Sequence, residues 1–531
     1  MTRPPAGPPR PARRPAGAAH TPNGHTPAGC EPAPPAAGRR PAGAGAELVR
    51  LTWAQPEDLV GHELRQAAED GRDAGPLLRA WREAGGHPAP ARAGASPAPA
   101  GPELRALATR LLDELAALPV PSAPDEPTAW PAIRATWPGG AGRPRPRPER
   151  HRSPAAPARA VPGAGPGPAG PGSRGGAVDG LLCARLEAAW VGRAVGCVLG
   201  KPVEKLPLHG IRALARAAGN WPLDDWFTAR GVPPEVLATH PWNRRSATTS
   251  LAENIDGAPE DDDLNHPLLG LLLLQRHGKR FATADLARLW LDELPAGRTF
   301  TAERSAYRNL LLGLEPPLTA THHNPFREWI GALIRADVHG WTNPGDPAAA
   351  AEQAWRDASL SHTASGVHAA LFAAATLAEA ASGRADVHGA LRAGLAVVPP
   401  RSRLAAAVRF GIRTARAEDD FERVVDRLHA RYGGYHWVHA LPNTALIAAA
   451  LTHADGDFTR SVCGAVSGGW DTDSNGATAG SVAGLLAGSA DRIPQRWTAP
   501  LKNRLSTTVA GFDGAGFDTL ARLTAQEAAR P

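Results

Sequence analysis

Cysteine is scarce and scattered in this chain. Cys30, Cys183, Cys197 and Cys463 are the four among 531 residues, and none forms a CxxC pair. That excludes a disulfide framework and a zinc ribbon. Long apolar runs are missing too. No stretch of roughly 18 apolar residues occurs, so no membrane span is expected. The opening segment Met1–Gly7 has no apolar run, so no signal peptide is expected. Together these absences give a reducing, cytoplasmic compartment as the expectation. Period-two alternation of β-branched residues is rare, which removes the main signal for strands.

What is abundant is unevenly placed. The 57 Gly and 54 Pro concentrate in two stretches rich in Pro, Ala, Gly and Arg. Such composition buries too little apolar surface to offset chain entropy. The reading is a disordered basic arm at 1–45 and a linker at 138–177. Between them, 46–137 reads as a small helical domain without visible chemistry, and 178–525 as the main domain. The formal charge of +6 belongs to the first part: residues 1–176 hold 22 Arg and no Lys against 15 Asp and Glu. The arm has no interleaved aromatics on which bases stack, so a nucleic-acid partner is not expected. A chain starting near Ala177 is expected to keep whatever activity the whole protein has.

The remaining pattern is helical. Leu104, Leu107, Leu111, Leu115 and Leu118 recur at steps of three and four, one apolar face of a helix. Trp53, Trp81, Trp130 and Trp137 are candidates to pack against it. From Leu181 onward one apolar helical segment follows another, so the expected class is all-α, and a monomer is expected. Gly476, Gly480, Gly484 and Gly488 recur every four residues. Each interior glycine costs about 1 kcal/mol relative to alanine, so the stripe needs a packing reason.

Two acidic clusters carry the chemistry. Glu260-Asp261-Asp262-Asp263 precedes a Leu-rich helix, and Asp471-Thr472-Asp473-Ser474 precedes the glycine stripe. Asp263, or Asp473 and Ser474, also suit helix caps. Carboxylates this crowded need a counter-charge, and hard oxygen donors suit Mg²⁺, Mn²⁺ or Ca²⁺. Asp471-x-Asp473-x-Asn475-Gly476 opens like an EF-hand loop, but the twelfth position is Val482 instead of Glu, which excludes that loop. Asn324–Trp329, His436 and His439 are polar-aromatic features without an assigned role, and Arg335 and Asp337 are candidates for a substrate rim.

Four segments together resemble the ADP-ribosylglycohydrolase family, which includes the dinitrogenase reductase-activating glycohydrolase. They are Val195–Glu204, Pro259–Leu264, Ser361–Gly366 and Gly469–Gly480. The resemblance covers roughly 180–520. It implies a compact all-α fold around two Mg²⁺ or Mn²⁺ ions. It also implies hydrolysis at ribose C1″ of ADP-ribosylated side chains or related compounds. The family's first metal motif is a hydroxyl residue, two Asp and a Thr; here acid replaces Thr. By resemblance the metal ligands come from Glu260, Asp261, Asp262, Asp263, Asp471, Asp473 and Ser474. Asp262, Asp471 and Glu204 take catalytic roles. His362 and Gly366 line the ADP-ribose pocket, with the N–H groups of Gly468 and Gly469 offered to the diphosphate. The alternative is a non-catalytic, ADP-ribose-binding or structural member of the same fold.

Overall fold

The computed structural model describes residues 53–89, 93–95, 99–137 and 179–531. The expected basic arm and linker lie outside these residues. The described residues form 24 α-helices and no strand, in keeping with the all-α expectation.

Four helices precede the main body: α1 (Pro56–Glu69), α2 (Gly75–Glu83), α3 (Pro102–Ala117) and α4 (Trp130–Ala135). Each has Pro in its first two positions, where the missing N–H costs nothing and φ is preset. The leucine face of α3 buries Leu111 and Leu115 against α1. These helices are continuous with the body: the described residues fall in one compact unit. Trp53 meets Phe326 edge-on at 5.5 Å, and the indole N–H of Trp137 donates to the Val397 carbonyl at 2.8 Å. Trp53 and Trp137 therefore face the body.

Ions seal this junction. Arg327 pairs with Glu63 at 2.7 Å and Asp70 at 3.3 Å, and Arg403 pairs with Glu126 at 2.7 Å and Glu328 at 2.8 Å. Buried pairs like these cost desolvation, so losing one partner is expensive. His62 of α1 sits among the rings of Phe326, Trp329 and His436, and neither of its nitrogens has a hydrogen-bond partner among the described residues. Burial, then the nearby Arg65 charge, lowers its pKa to about 3. A depressed histidine is neutral in the fold, while the unfolded chain takes up a proton below about pH 6.5. Stability is therefore lost as pH falls from about 6.5 toward 3. His62→Phe keeps the ring packing and removes this proton. Between pH 7.5 and pH 5, the variant is expected to lose less unfolding free energy than the parent, by up to about 2 kcal/mol. Denaturant titrations at the two pH values check this; equal losses would refute it.

At the centre, α5 (Gly180–Gly200) packs along the helix Thr472–Ala487. Asp179 caps α5, its carboxylate accepting the Leu181 N–H at 3.0 Å. The glycine stripe finds its reason here. A Cβ on Gly480 would stand 2.0 Å from the Gly192 carbonyl oxygen, and one on Gly192 would stand 2.1 Å from that of Gly480. Gly196 and Gly476 repeat the pairing, and Gly484 lies against Ala188. Backbone meets backbone, so no side chain can yield. Gly480→Ala is expected to lower stability by about 2–3 kcal/mol through overpacking. Gly297→Ala, facing open space, should change it by less than about 0.5 kcal/mol. Thermal unfolding of both variants decides, and equal midpoints would contradict the close-packing argument.

The helices Ala364–Ala381 and Ala440–Ala454 complete the core. The first is long and apolar enough to cross a membrane by composition, but 89% of it is buried inside the protein.

Candidate active site

Two helix N-termini converge and bring the acids together. Asp261 caps the helix Asp262–His277, its Oδ1 accepting the Asp263 N–H at 2.9 Å. Asp471 precedes the helix Thr472–Ala487, and Asp473 and Ser474 lie in its first turn. Ser474 Oγ donates to Asp263 Oδ2 at 3.1 Å, so the two clusters are in direct contact although 211 residues separate them. Orphan N–H groups and the helix dipole make each N-terminus favourable for carboxylates. The approach to Asp471 is a tight turn in which Gly469 (φ +79°) and Trp470 (φ +58°) are both left-handed. Glycine adopts this freely, whereas Trp470 is strained and held by stacking on His429 with centroids 3.9 Å apart. Asn443 fixes the turn from outside: its Oδ1 accepts the Asp471 N–H at 3.1 Å and the Asn475 amide at 2.7 Å.

Glu204 arrives from the exit of α5. Carboxylate oxygens of Glu204, Asp471 and Asp473 lie within 4.8 Å of one another. A second group within the same span is Cys197, Asp261 and Asp263. Glu204 also pairs with Lys205 at 2.5 Å and accepts the Asn243 amide at 2.8 Å. Burial, then the surrounding carboxylates, pushes Asp262, Asp263 and Asp471 well above the usual range. Burial, Glu204 and Asp261 push Asp473 up to about 7. Asp261 goes the other way: burial raises it, but the Lys201 ammonium and the Asp263 N–H bring it below the usual value. Raised carboxylates mark unmet negative charge, and the all-oxygen group of Glu204, Asp471 and Asp473 fits a hard divalent cation such as Mg²⁺ or Mn²⁺.

Other residues singled out in the sequence lie elsewhere. The Glu260 carboxylate is engaged by Arg298 at 2.8 Å and by Asn265 and Thr508, outside both ligand groups. His362 is fully buried: Nδ1 meets Ser361 Oγ at 2.8 Å and Nε2 faces Glu303 at 4.0 Å. Gly366 presses on the Arg327 carbonyl, where a Cβ would approach to 2.6 Å. The N-terminal helical part covers this turn, since Thr128 Oγ1 accepts the Ala364 N–H at 2.9 Å. The N–H groups of Gly468 and Gly469 are donated to the carbonyls of Gly464 and Val466, which leaves neither free for a diphosphate. Arg335 and Asp337 are buried too; Arg335 holds Glu303 and Asp357, each at 2.6 Å. His436 stacks on Trp329 at 4.1 Å, and His439 caps a helix through Leu441 N–H.

Arg193 is a residue beside the acidic clusters that the sequence reading passed over. It donates to the Asp263 carbonyl at 2.7 Å and pairs with the carboxylates of Asp263 at 3.2 Å and Asp337 at 2.9 Å. The available signal was a lone arginine inside an apolar, alanine-rich helix, since arginine is almost never fully buried without a partner.

A comparison with curated proteins finds no match. Among solved structures, one described as an ADP-ribosylglycohydrolase-related protein complex is similar, with 21% identity and a TM-score of 0.40 over 65% of this chain and 97% of that one. The family model for ADP-ribosylglycohydrolase matches residues 180–530, which contain every acid of the two clusters. The chain belongs to the ADP-ribosylglycohydrolase family.

Proposed function

We propose that this protein is a metal-dependent hydrolase that cleaves the N- or O-glycosidic bond at ribose C1″ of ADP-ribosylated side chains or related ADP-ribosyl compounds. Family membership supports a hydrolase. The observation that carries the finer reading is the convergence of Glu204, Asp471 and Asp473 within 4.8 Å, directly beside Asp263 and Ser474. Asp471 and Asp473 would hold a Mg²⁺ or Mn²⁺ ion, with Asp262 and Glu204 beside them. Such an ion supplies counter-charge and makes a coordinated water more acidic.

The chain's own groups account for the remaining steps. Glu204, oriented by Asn243 and Lys205, accepts a proton from the attacking water. The water oxygen bonds to C1″ while the bond from C1″ to the acceptor breaks. Positive charge develops on the ribose in an oxocarbenium-like state, as in other glycosidases. The acceptor leaves carrying the bonding electrons and takes a proton from solvent. The surrounding carboxylates stabilise that positive charge without moving, because helix packing fixes their positions.

The test is a panel of ADP-ribosyl linkages on arginine, serine and small acceptors, assayed with Mn²⁺ and with a chelator. Release of ADP-ribose from at least one linkage, only with metal, is the expected result. No release from any linkage by folded, metal-loaded protein would favour a non-catalytic, ADP-ribose-binding role.

A further inference from the structure

One of the two buried ligand groups already contains its cations. In the group Cys197, Asp261 and Asp263, both carboxylates are taken. Asp261 accepts from the Lys201 ammonium at Oδ2 and from the Asp263 N–H at Oδ1, the latter at 2.9 Å. Asp263 accepts from Arg193 at Oδ1 at 3.2 Å and from Ser474 Oγ at Oδ2 at 3.1 Å. The third member, Cys197, is a buried thiol, a soft donor poorly matched to Mg²⁺ or Mn²⁺.

Lys201 is placed there by the backbone. It follows α5 directly in the one-turn helix Lys201–Val203, and Pro202 and Val203 behind it are buried. Gly200 is clamped on the partner helix, where a Cβ would stand 2.3 Å from the Asp473 nitrogen. The ammonium also donates to the Glu260 carbonyl at 3.2 Å, a partner that does not depend on the acids. The other group differs. Asp471 and Asp473 have no ion pair among the described residues, and in that group only Glu204 is paired, to Lys205.

We infer that Lys201 takes the place of one of the two cations implied by the family resemblance, so that the centre binds a single divalent ion at Asp471 and Asp473, beside Glu204. This rests on the metal-dependent reading above and sharpens it. A covalently supplied charge cannot dissociate, so part of the site's neutralisation becomes independent of metal supply.

The test counts ions on the full chain. Purified protein is saturated with Mn²⁺, desalted and assayed for bound metal, with electron paramagnetic resonance to separate isolated from coupled ions. The parent is expected to hold one magnetically isolated Mn²⁺ per chain. Lys201→Met, which frees Asp261, is expected to hold two, with an exchange-coupled spectrum, while Lys201→Arg stays at one. Lys201→Gln replaces Lys201→Met if the latter does not fold. Two coupled ions on the parent, or a variant lacking the ammonium that still takes one, would overturn the inference. A parent that binds no Mn²⁺ would instead sink the metal-dependent reading itself, so the two failures are distinguishable.

Discussion

Asp473→Asn is expected to lower ADP-ribose release by about 10³-fold or more, without harming the fold. Asparagine has the same shape but no charge, so under the proposed mechanism the ion would lose a ligand and the developing ribose cation a stabilising carboxylate. The usual objection to such a loss is misfolding. Here the physics points the other way. Burial, Glu204 and Asp261 push Asp473 up to about 7, which means that its negative charge is unfavourable when no metal is present. Removing that charge should raise the thermal midpoint of the metal-free protein while activity disappears. Midpoints are read by calorimetry and rates by chromatography of released ADP-ribose. A variant within tenfold of parental activity would show that Asp473 is not at the reacting centre.

Removing residues before Ala177 is expected to leave a chain that does not fold stably, contrary to the expectation from sequence. Deleting α1–α4 removes Glu63, Asp70 and Glu126, which face Arg327 and Arg403 across the junction. It also uncovers Phe326 and Trp329, both now nearly inaccessible. Leaving a buried charge without its partner costs about 3–5 kcal/mol, and Arg327 loses both of its carboxylates while Arg403 is left with Glu328. A whole protein has only about 5–15 kcal/mol to lose. A chain starting at Arg50 keeps all these partners and should retain the parental midpoint. Soluble yield and thermal unfolding of the two truncations settle the matter. A chain starting at Ala177 with an unchanged midpoint would show that the N-terminal helices are a passive addition.

The contrast shows what the sequence made legible. Apolar spacing in Leu264–Leu274 and in the Ala-rich segments is a local signal, so the all-α class was readable without long-range information. The acidic clusters at Asp261–Asp263 and Asp471–Asp473 stand out in the sequence because carboxylates so tightly grouped before apolar helices are costly without a cation. The junction was not readable, because Glu63, Arg327 and Arg403 are ordinary charged residues until the fold pairs them. His362 and Gly366 misdirected for a related reason. Their motif was legible, but the covering Glu126–Trp130 segment carries no local mark of where it docks. Half of the glycine stripe was seen. The matching Gly192, Gly196 and Gly200 in α5 repeat at the same spacing of four, and pairing the two stripes would have placed Asp473 beside the start of the Glu204 loop.

The most direct measurement of the central claim is hydrolysis in ¹⁸O-enriched water. Full-length protein is loaded with Mn²⁺, given an ADP-ribosylated substrate from the responsive linkage, and the products are weighed by mass spectrometry. If water attacks C1″ at the Glu204–Asp471–Asp473 centre, one ¹⁸O appears in the released ADP-ribose and none in the acceptor, and chelator or Asp473→Asn abolishes both release and label. Label in the acceptor, or label in ADP-ribose that persists at full rate in Asp473→Asn, would contradict the account.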